Sequence, residues 1–244
     1  MAQMGNCARV AFFGGSFDPP HQGHLAIARA AQSALGLDTV LFAPVGAQPL
    51  KPQGATASFA DRLAMTKLAI AGQPEFTISL VDAPAQGQVK PNYTPNYTID
   101  TLRRLRAEIS PDAQLFCLIG ADSFVGLRTW HRGAEIPIAA SLIVASRPGQ
   151  QLEDLASALP VGLSLEAGTG TGASSGSIEI RTYTVRNAAG ATAQLFLLPG
   201  LHIDISASEI RNQVRAALGS LPAGHDLLPD SVVRYIAEHG LYRD

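Results

Sequence analysis

The chain has 244 residues, and its 18 basic and 20 acidic side chains leave a net charge of -2 with neutral histidines. That balance argues against a general nucleic-acid coat, which carries a strong basic excess. A hydrophobic content of 46% excludes a disordered chain.

Val10–Phe13 is a short apolar run ending at Gly14-Gly15. From Gly23 to Leu35 the apolar spacing turns helical, through Leu25, Ala28 and Leu35, and Gly36 reads as the stop. Thr39–Ala43 reads as a second buried strand. Strand, Gly-rich turn, helix and strand make a βαβ unit, which implies parallel pairing and a ligand site at the strands' C-terminal ends. A Pro-, Gly- and Gln-rich loop over 47–57 precedes a helix near Phe59–Ile70 and a strand at Phe76–Val81. A long Pro-containing loop over 83–96 follows. Tyr97–Ile109 has helical spacing, and Leu115–Ile119 and Leu142–Ala145 are continuous apolar runs of the kind found in central parallel strands. Gly168–Gly176 is low in complexity and reads as a mobile loop. Ser177–Val185 and Gln194–Leu198, around Asn187-Ala-Ala-Gly190, read as a β-hairpin. A C-terminal helical part starts at Ser206, with a second helix near Ser231–His239.

Cys7 and Cys117 are the two cysteines, too few and too distant for a disulfide framework or a Cys-based zinc site. Residues 1–9 carry one Arg and no apolar stretch, so no signal peptide is expected there. The apolar stretch over 136–145 falls short of the roughly 18 residues that span a bilayer. The expectation is a soluble, reduced, cytoplasmic protein without nucleic-acid or membrane partners.

The chemistry concentrates in two strings. Gly14-Gly15-Ser16-Phe17-Asp18-Pro19-Pro20-His21-Gln22-Gly23-His24 lies between the first strand and the first helix. Gly15 permits close backbone approach, and the helix N-terminus offers N–H groups to an anion. His21 and His24 are three apart, so both rings can face one phosphate and stabilise charge on a transferring phosphoryl group. The rival readings are an ordinary Gly turn and a His-pair metal site, and the second lacks an evident third ligand. In the other string, Asp204-Ile205-Ser206-Ala207-Ser208-Glu209-Ile210-Arg211, Ser206 and Ser208 supply hydroxyls at a helix N-terminus. Arg211 lies one turn in, within reach of polyphosphate oxygens. The plainer reading there is a capping box of Ser206 with Glu209.

The string Gly14–His24, with its His-x-Gly-His core, resembles the signature of the Rossmann-like nucleotidyltransferase superfamily, and Ile205–Arg211 resembles the Ile-Ser-x-x-x-x-Arg motif of its adenylyltransferases. Intervening segments narrow the resemblance. Tyr97-Thr98-Ile99-Asp100-Thr101-Leu102, Ile119-Gly120-Ala121-Asp122-Ser123, Thr129-Trp130-His131, Arg147-Pro148-Gly149 and the tail from Leu227-Leu228-Pro229 to Gly240-Leu241-Tyr242-Arg243 look, in order, like segments of bacterial-type nicotinate-nucleotide adenylyltransferases. Two departures stand out. Pro49-Leu50-Lys51 replaces the family's usual Pro-Pro-His-Lys, and the loop and hairpin over 165–193 look longer than usual, which reads as a surface insertion.

The resemblance implies a single α/β domain over 1–244, with a doubly wound, mostly parallel Rossmann-like sheet and a C-terminal helical part over 206–244. It implies that ATP and nicotinate mononucleotide are joined to give deamido-NAD and pyrophosphate, with Mg²⁺ screening the polyphosphate and no protein metal ligands assigned. His21, His24 and Arg211 are the candidate catalytic residues. Gly14, Gly15, Ser16, Phe17, Lys51, Gly120, Asp122, Ser206 and Ser208 are candidates for ATP. Arg62, Tyr97, Thr98, Trp130 and Arg147 are candidates for the mononucleotide, Trp130 by stacking on the pyridine. His131, His202, His225 and His239 are read as structural or surface residues. The rivals are an adenylyltransferase for nicotinamide mononucleotide or pantetheine phosphate, and a non-catalytic nucleotide sensor. A dinucleotide-dependent oxidoreductase would need Gly-x-Gly-x-x-Gly after the first strand, which is missing.

Overall fold

Apolar runs without polar alternation suit strands covered on both faces, and in this protein they form the middle of an eight-stranded sheet. The computed structural model describes residues 8–49, 54–84, 95–146, 155–171, 180–198, 205–217 and 227–243. The strands are β1 (Arg9–Gly15), β2 (Thr39–Pro44), β3 (Phe76–Ile78), β4 (Gln114–Gly120), β5 (Ser141–Ala145), β6 (Leu163–Thr171), β7 (Arg181–Asn187) and β8 (Thr192–Leu198). Their order is β3-β2-β1-β4-β5-β8-β7-β6. From β3 to β8 every pairing is parallel, and β7 and β6 are added antiparallel at the far edge.

Helices cover both faces. Ala11 and Phe13 of β1, Phe116 and Leu118 of β4 and Ile143 of β5 pack on α1 (Gln22–Leu35), α2 (Phe59–Ile70), α7 (Ala207–Ala216) and α8 (Asp230–Glu238). The alternate residues Phe12, Cys117, Leu142 and Val144 pack on α3 (Thr98–Glu108), α4 (Ala121–Val125) and α5 (Ile136–Ala139). A short α6 (Leu155–Ala158) completes the set. The doubly wound expectation therefore holds. The period-2 side-chain alternation of each strand feeds two separate cores.

Most expected boundaries fall within a residue or two. Gly36 ends α1 in the left-handed conformation, φ 57°, where glycine carries no Cβ penalty. Two elements differ. The strand expected over Phe76–Val81 stops at Ile78, because the Ser79 N–H makes a last bond to the Phe42 carbonyl and the chain then turns, leaving Leu80 58% exposed. The loop expected over 168–176 is strand as far as Thr171, paired with β7 through an irregularity after Ala167. A Cβ on Gly168 would lie 2.7 Å from the Thr182 carbonyl oxygen, so its glycine is a packing requirement at a strand irregularity. Residues 172–176 lie outside the described residues. Among the described residues, no helix is long and apolar enough to cross a membrane.

Candidate active site

The sheet reverses its winding between β1 and β4, and a cleft opens beyond the C-terminal ends of these two neighbours. This is the place where open α/β sheets receive ligands. Its volume is about 740 Å³, the size of a pocket for a substantial small molecule. Gly14, Gly15, Ser16 and Phe17 after β1, Gly120 and Asp122 after β4, and Ser206, Ser208 and Arg211 from the C-terminal part all line it. So do His21, His24, Tyr97, Thr98 and Trp130. Both strings thus meet in one cleft, although almost two hundred residues separate them.

The turn after β1 is built by sterics. A Cβ on Gly14 would come within 2.5 Å of the Phe12 ring, and one on Gly15 within 3.3 Å of Phe17. Phe17 takes a left-handed backbone, φ 46°, yet its ring is fully buried against Phe13 and Phe42. That burial holds a conformation non-glycine residues seldom adopt. Phe17 also lines the cleft. Its ring forms the floor of the cleft and the edge-on support of His24, at 4.9 Å between centroids. Ser16 Oγ donates to Gln48 Oε1 at 2.5 Å, tying this turn to the loop after β2.

His21 is the N-cap of α1, and its backbone N–H donates to His24 Nδ1 at 3.2 Å. An imidazole that accepts at Nδ1 carries its neutral-state proton on Nε2, so His24 is fixed as an Nε2 donor. The two rings lie 3.7 Å apart, inclined by 33°. No acidic side chain occupies the first turn of α1, so nothing on the helix itself competes with an anion at its positive end.

At α7, Ser206 is the N-cap but makes no side-chain capping bond. The capping box with Glu209 is not formed. Arg211 Nη1 donates to the Asp18 carbonyl at 2.7 Å, and Nη2 to Ser208 Oγ at 3.1 Å. Asp122 is within the first turn of α4, whose N-cap is Gly120.

One candidate moves out of the cleft. Arg62 is 3% exposed and donates to the Ser16, Val45 and Ala57 carbonyls at 2.6, 2.9 and 3.3 Å. Arg62, expected at the mononucleotide, is not among the residues that line the cleft, and its donor fork clamps three loop carbonyls instead. Arg128 is exposed and bonds the Ser157 carbonyl. Lys51 and Arg147 lie outside the described residues.

A family model described as Cytidylyltransferase-like matches residues 12–213. A protein of Citrifermentans bemidjiense named "Probable nicotinate-nucleotide adenylyltransferase" is 36% identical over 97% of this chain and 99% of its own. One of Gloeobacter violaceus with the same name is 37% identical over 96% of each chain. This chain belongs to the nicotinate-nucleotide adenylyltransferase family. Its fold agrees with the solved Plasmodium falciparum nicotinic acid mononucleotide adenylyltransferase complexed with NaAD, at a TM-score of 0.65 and 17% identity, covering 96% of this chain and 97% of that one.

The adenylyltransferase cleft also includes residues that the sequence reading passed over. His131 lines it and lies against Tyr97, with ring centroids 4.2 Å apart. Its place directly after Trp130 was the available signal. Asp82 and Asn96 line it too. Asp82 Oδ1 accepts from the Thr101 hydroxyl at 2.6 Å and from Arg104 at 3.2 Å, while Asn96 Oδ1 accepts from the Ala47 N–H at 2.8 Å. Burial pushes the Asp82 carboxyl above its ordinary value, against the pull of Thr101, Arg104 and Asn96. No sequence signal marked these two, because their partners come from α3 and from the loop after β2.

Proposed function

We propose that this protein transfers the adenylyl group of ATP to nicotinate mononucleotide, forming deamido-NAD and releasing pyrophosphate. The observation that carries this is the meeting of His21, His24, Ser206, Ser208 and Arg211 in one cleft at the β1/β4 switch point. Family membership supplies the substrate pair. A phosphate oxygen of the mononucleotide attacks the α-phosphorus of ATP, the bond from that phosphorus to the α,β-bridging oxygen breaks, and pyrophosphate leaves with the electron pair. The attacking phosphate is already ionised at neutral pH, so the protein's work is positioning and charge stabilisation. His24, through Nε2–H, and the positive N-terminal end of α1 are assigned to the transferring phosphoryl group. Arg211 and the α7 hydroxyls are assigned to the polyphosphate.

Mg²⁺ is proposed to arrive with ATP and to screen its charge. Among the described residues no three His, Cys, Asp or Glu side chains stand together, and the ion is proposed to be held mainly by the phosphate oxygens of the substrate. The pyridine end is assigned to Tyr97, Thr98, Trp130 and His131. The one sheet running through all eight strands supports reading the chain as one domain with the β6–β7 edge as an appendage. ATP use and a buried free thiol at Cys117 support a cytoplasmic setting.

Incubation with ATP, Mg²⁺ and each of nicotinate mononucleotide, nicotinamide mononucleotide and pantetheine phosphate tests the proposal. Chromatography should show pyrophosphate and a dinucleotide chiefly with the nicotinate substrate. Product only with pantetheine phosphate, or none with any of the three, overturns it.

A further inference from the structure

We propose that Tyr242, near the C-terminal end of the chain, is a positioning residue for adenylyl transfer that acts through Asp18 on Arg211. The assignment of Arg211 to polyphosphate, and so this inference, rests on the function proposed above.

Tyr242 and Asp18 are each 5% exposed. The phenol donates to Asp18 Oδ1 at 2.8 Å. The same oxygen accepts the Ala57 N–H at 3.0 Å, and Oδ2 accepts the Thr56 N–H at 2.7 Å. Arg211 Nη1 lies 4.0 Å from Oδ2 and donates to the Asp18 carbonyl. The guanidinium that faces the cleft is therefore braced from behind by the residue that Tyr242 holds.

The tail is bent to make this contact. Tyr242 has φ 62°, a left-handed backbone that costs a non-glycine residue energy and persists only where surroundings enforce it. The ring packs in the cluster that contains Leu228, Val232 and Ile236. A phenylalanine would fill that space equally well. The hydroxyl is what packing does not explain, and its partner is Asp18. Burial and the Asp18 carboxylate both drive the phenol far above its ordinary range, so it stays a proton donor throughout the working pH range. Asp18 is thus kept in one orientation, which a carboxylate held by loop N–H groups alone would not guarantee.

Tyr242→Phe removes only the hydroxyl. The expected result is a fall in kcat/KM for ATP of about tenfold or more, since small misplacements of a contacting group are amplified in the rate, with KM for the mononucleotide unchanged. Calorimetric affinity for the α,β-methylene analogue of ATP should fall in parallel. In an Arg211→Lys background the same change should add little, because the positioned fork is already gone. A purely structural hydroxyl would instead lower Tm and leave ATP affinity and kcat at wild-type values. That outcome, or independent multiplication of the two changes, overturns the inference. Analogue binding reads the positioning role even if the acceptor substrate is another phosphate, whereas absent dinucleotide from the wild-type enzyme overturns the proposed function alone.

Discussion

His24 shows how much a single side chain here depends on its neighbours. The His21 backbone N–H fixes which nitrogen of His24 is protonated, and Phe17 fixes the plane of the ring. His24→Ala is expected to lower turnover by roughly 10²–10³-fold, the effect of losing one well-placed transition-state donor, with the melting temperature nearly kept. Steady-state kinetics beside a thermal melt check this, and near-normal turnover removes His24 from the chemistry. Asp82 gives a pH test. Its carboxyl is raised in the folded protein by burial, so protonation favours the fold. Its contribution is full below the unfolded value and is lost as pH rises through the folded value. Asp82→Asn holds the group neutral at every pH. Its stability relative to wild type should therefore rise as pH increases through and above the ordinary carboxylate range, measured by urea denaturation. A flat or falling difference would show that Arg104 and Thr101 dominate over burial.

At the scale of elements, the site is made of helix starts. α1, α3 and α7 each present first-turn residues to the cleft, and the first N–H groups of a helix have no intrahelical acceptor. Three such ends give an anionic substrate donors that cost no reorganisation. The edge strands contribute none of the lining residues among those described for β6 and β7. Gly168→Ala should accordingly cost stability, because its Cβ would meet the Thr182 carbonyl, while kcat and both KM values stay at wild type. Tm falling together with activity at temperatures well below the melt would tie this edge to catalysis.

For the molecule as a whole, the cleft has two ends with different tasks. On the proposed reading the His and Arg groups are assigned to phosphate, and Tyr97, Thr98, Trp130 and His131, which also line the cleft, to the pyridine. On the proposed reading an acid substrate brings a carboxylate to the start of α3, the positive end of that helix. A neutral amide forfeits charge-assisted bonds of about 1.5–3 kcal/mol, roughly 10–150-fold in specificity. The expected ratio of kcat/KM for nicotinate over nicotinamide mononucleotide lies in that range. Trp130→Ala should weaken both substrates alike, because stacking does not distinguish acid from amide. Equal efficiency with the two mononucleotides would refute acid recognition and leave the adenylyl transfer standing.

The sequence by itself determined the sheet's parallel core, the helix that follows Gly14–His24, the stop at Gly36 and the cleft-lining set His21, His24, Ser206, Ser208 and Arg211. These were legible because strand runs, helical periodicity and short motifs are local in the chain. Tertiary structure decided the rest. Arg62 reads as a mononucleotide contact until three loop carbonyls are folded around it. Ser206 and Glu209 read as a capping box until the turn after β1 approaches α7 and Arg211 binds the Asp18 carbonyl. Asp82 and Asn96 carry no local pattern, and the tail motif around Tyr242 does not show its partner, since each has partners distant in sequence. A hydrogen bond between residues 18 and 242 depends on every element between them, and only the folded chain specifies it.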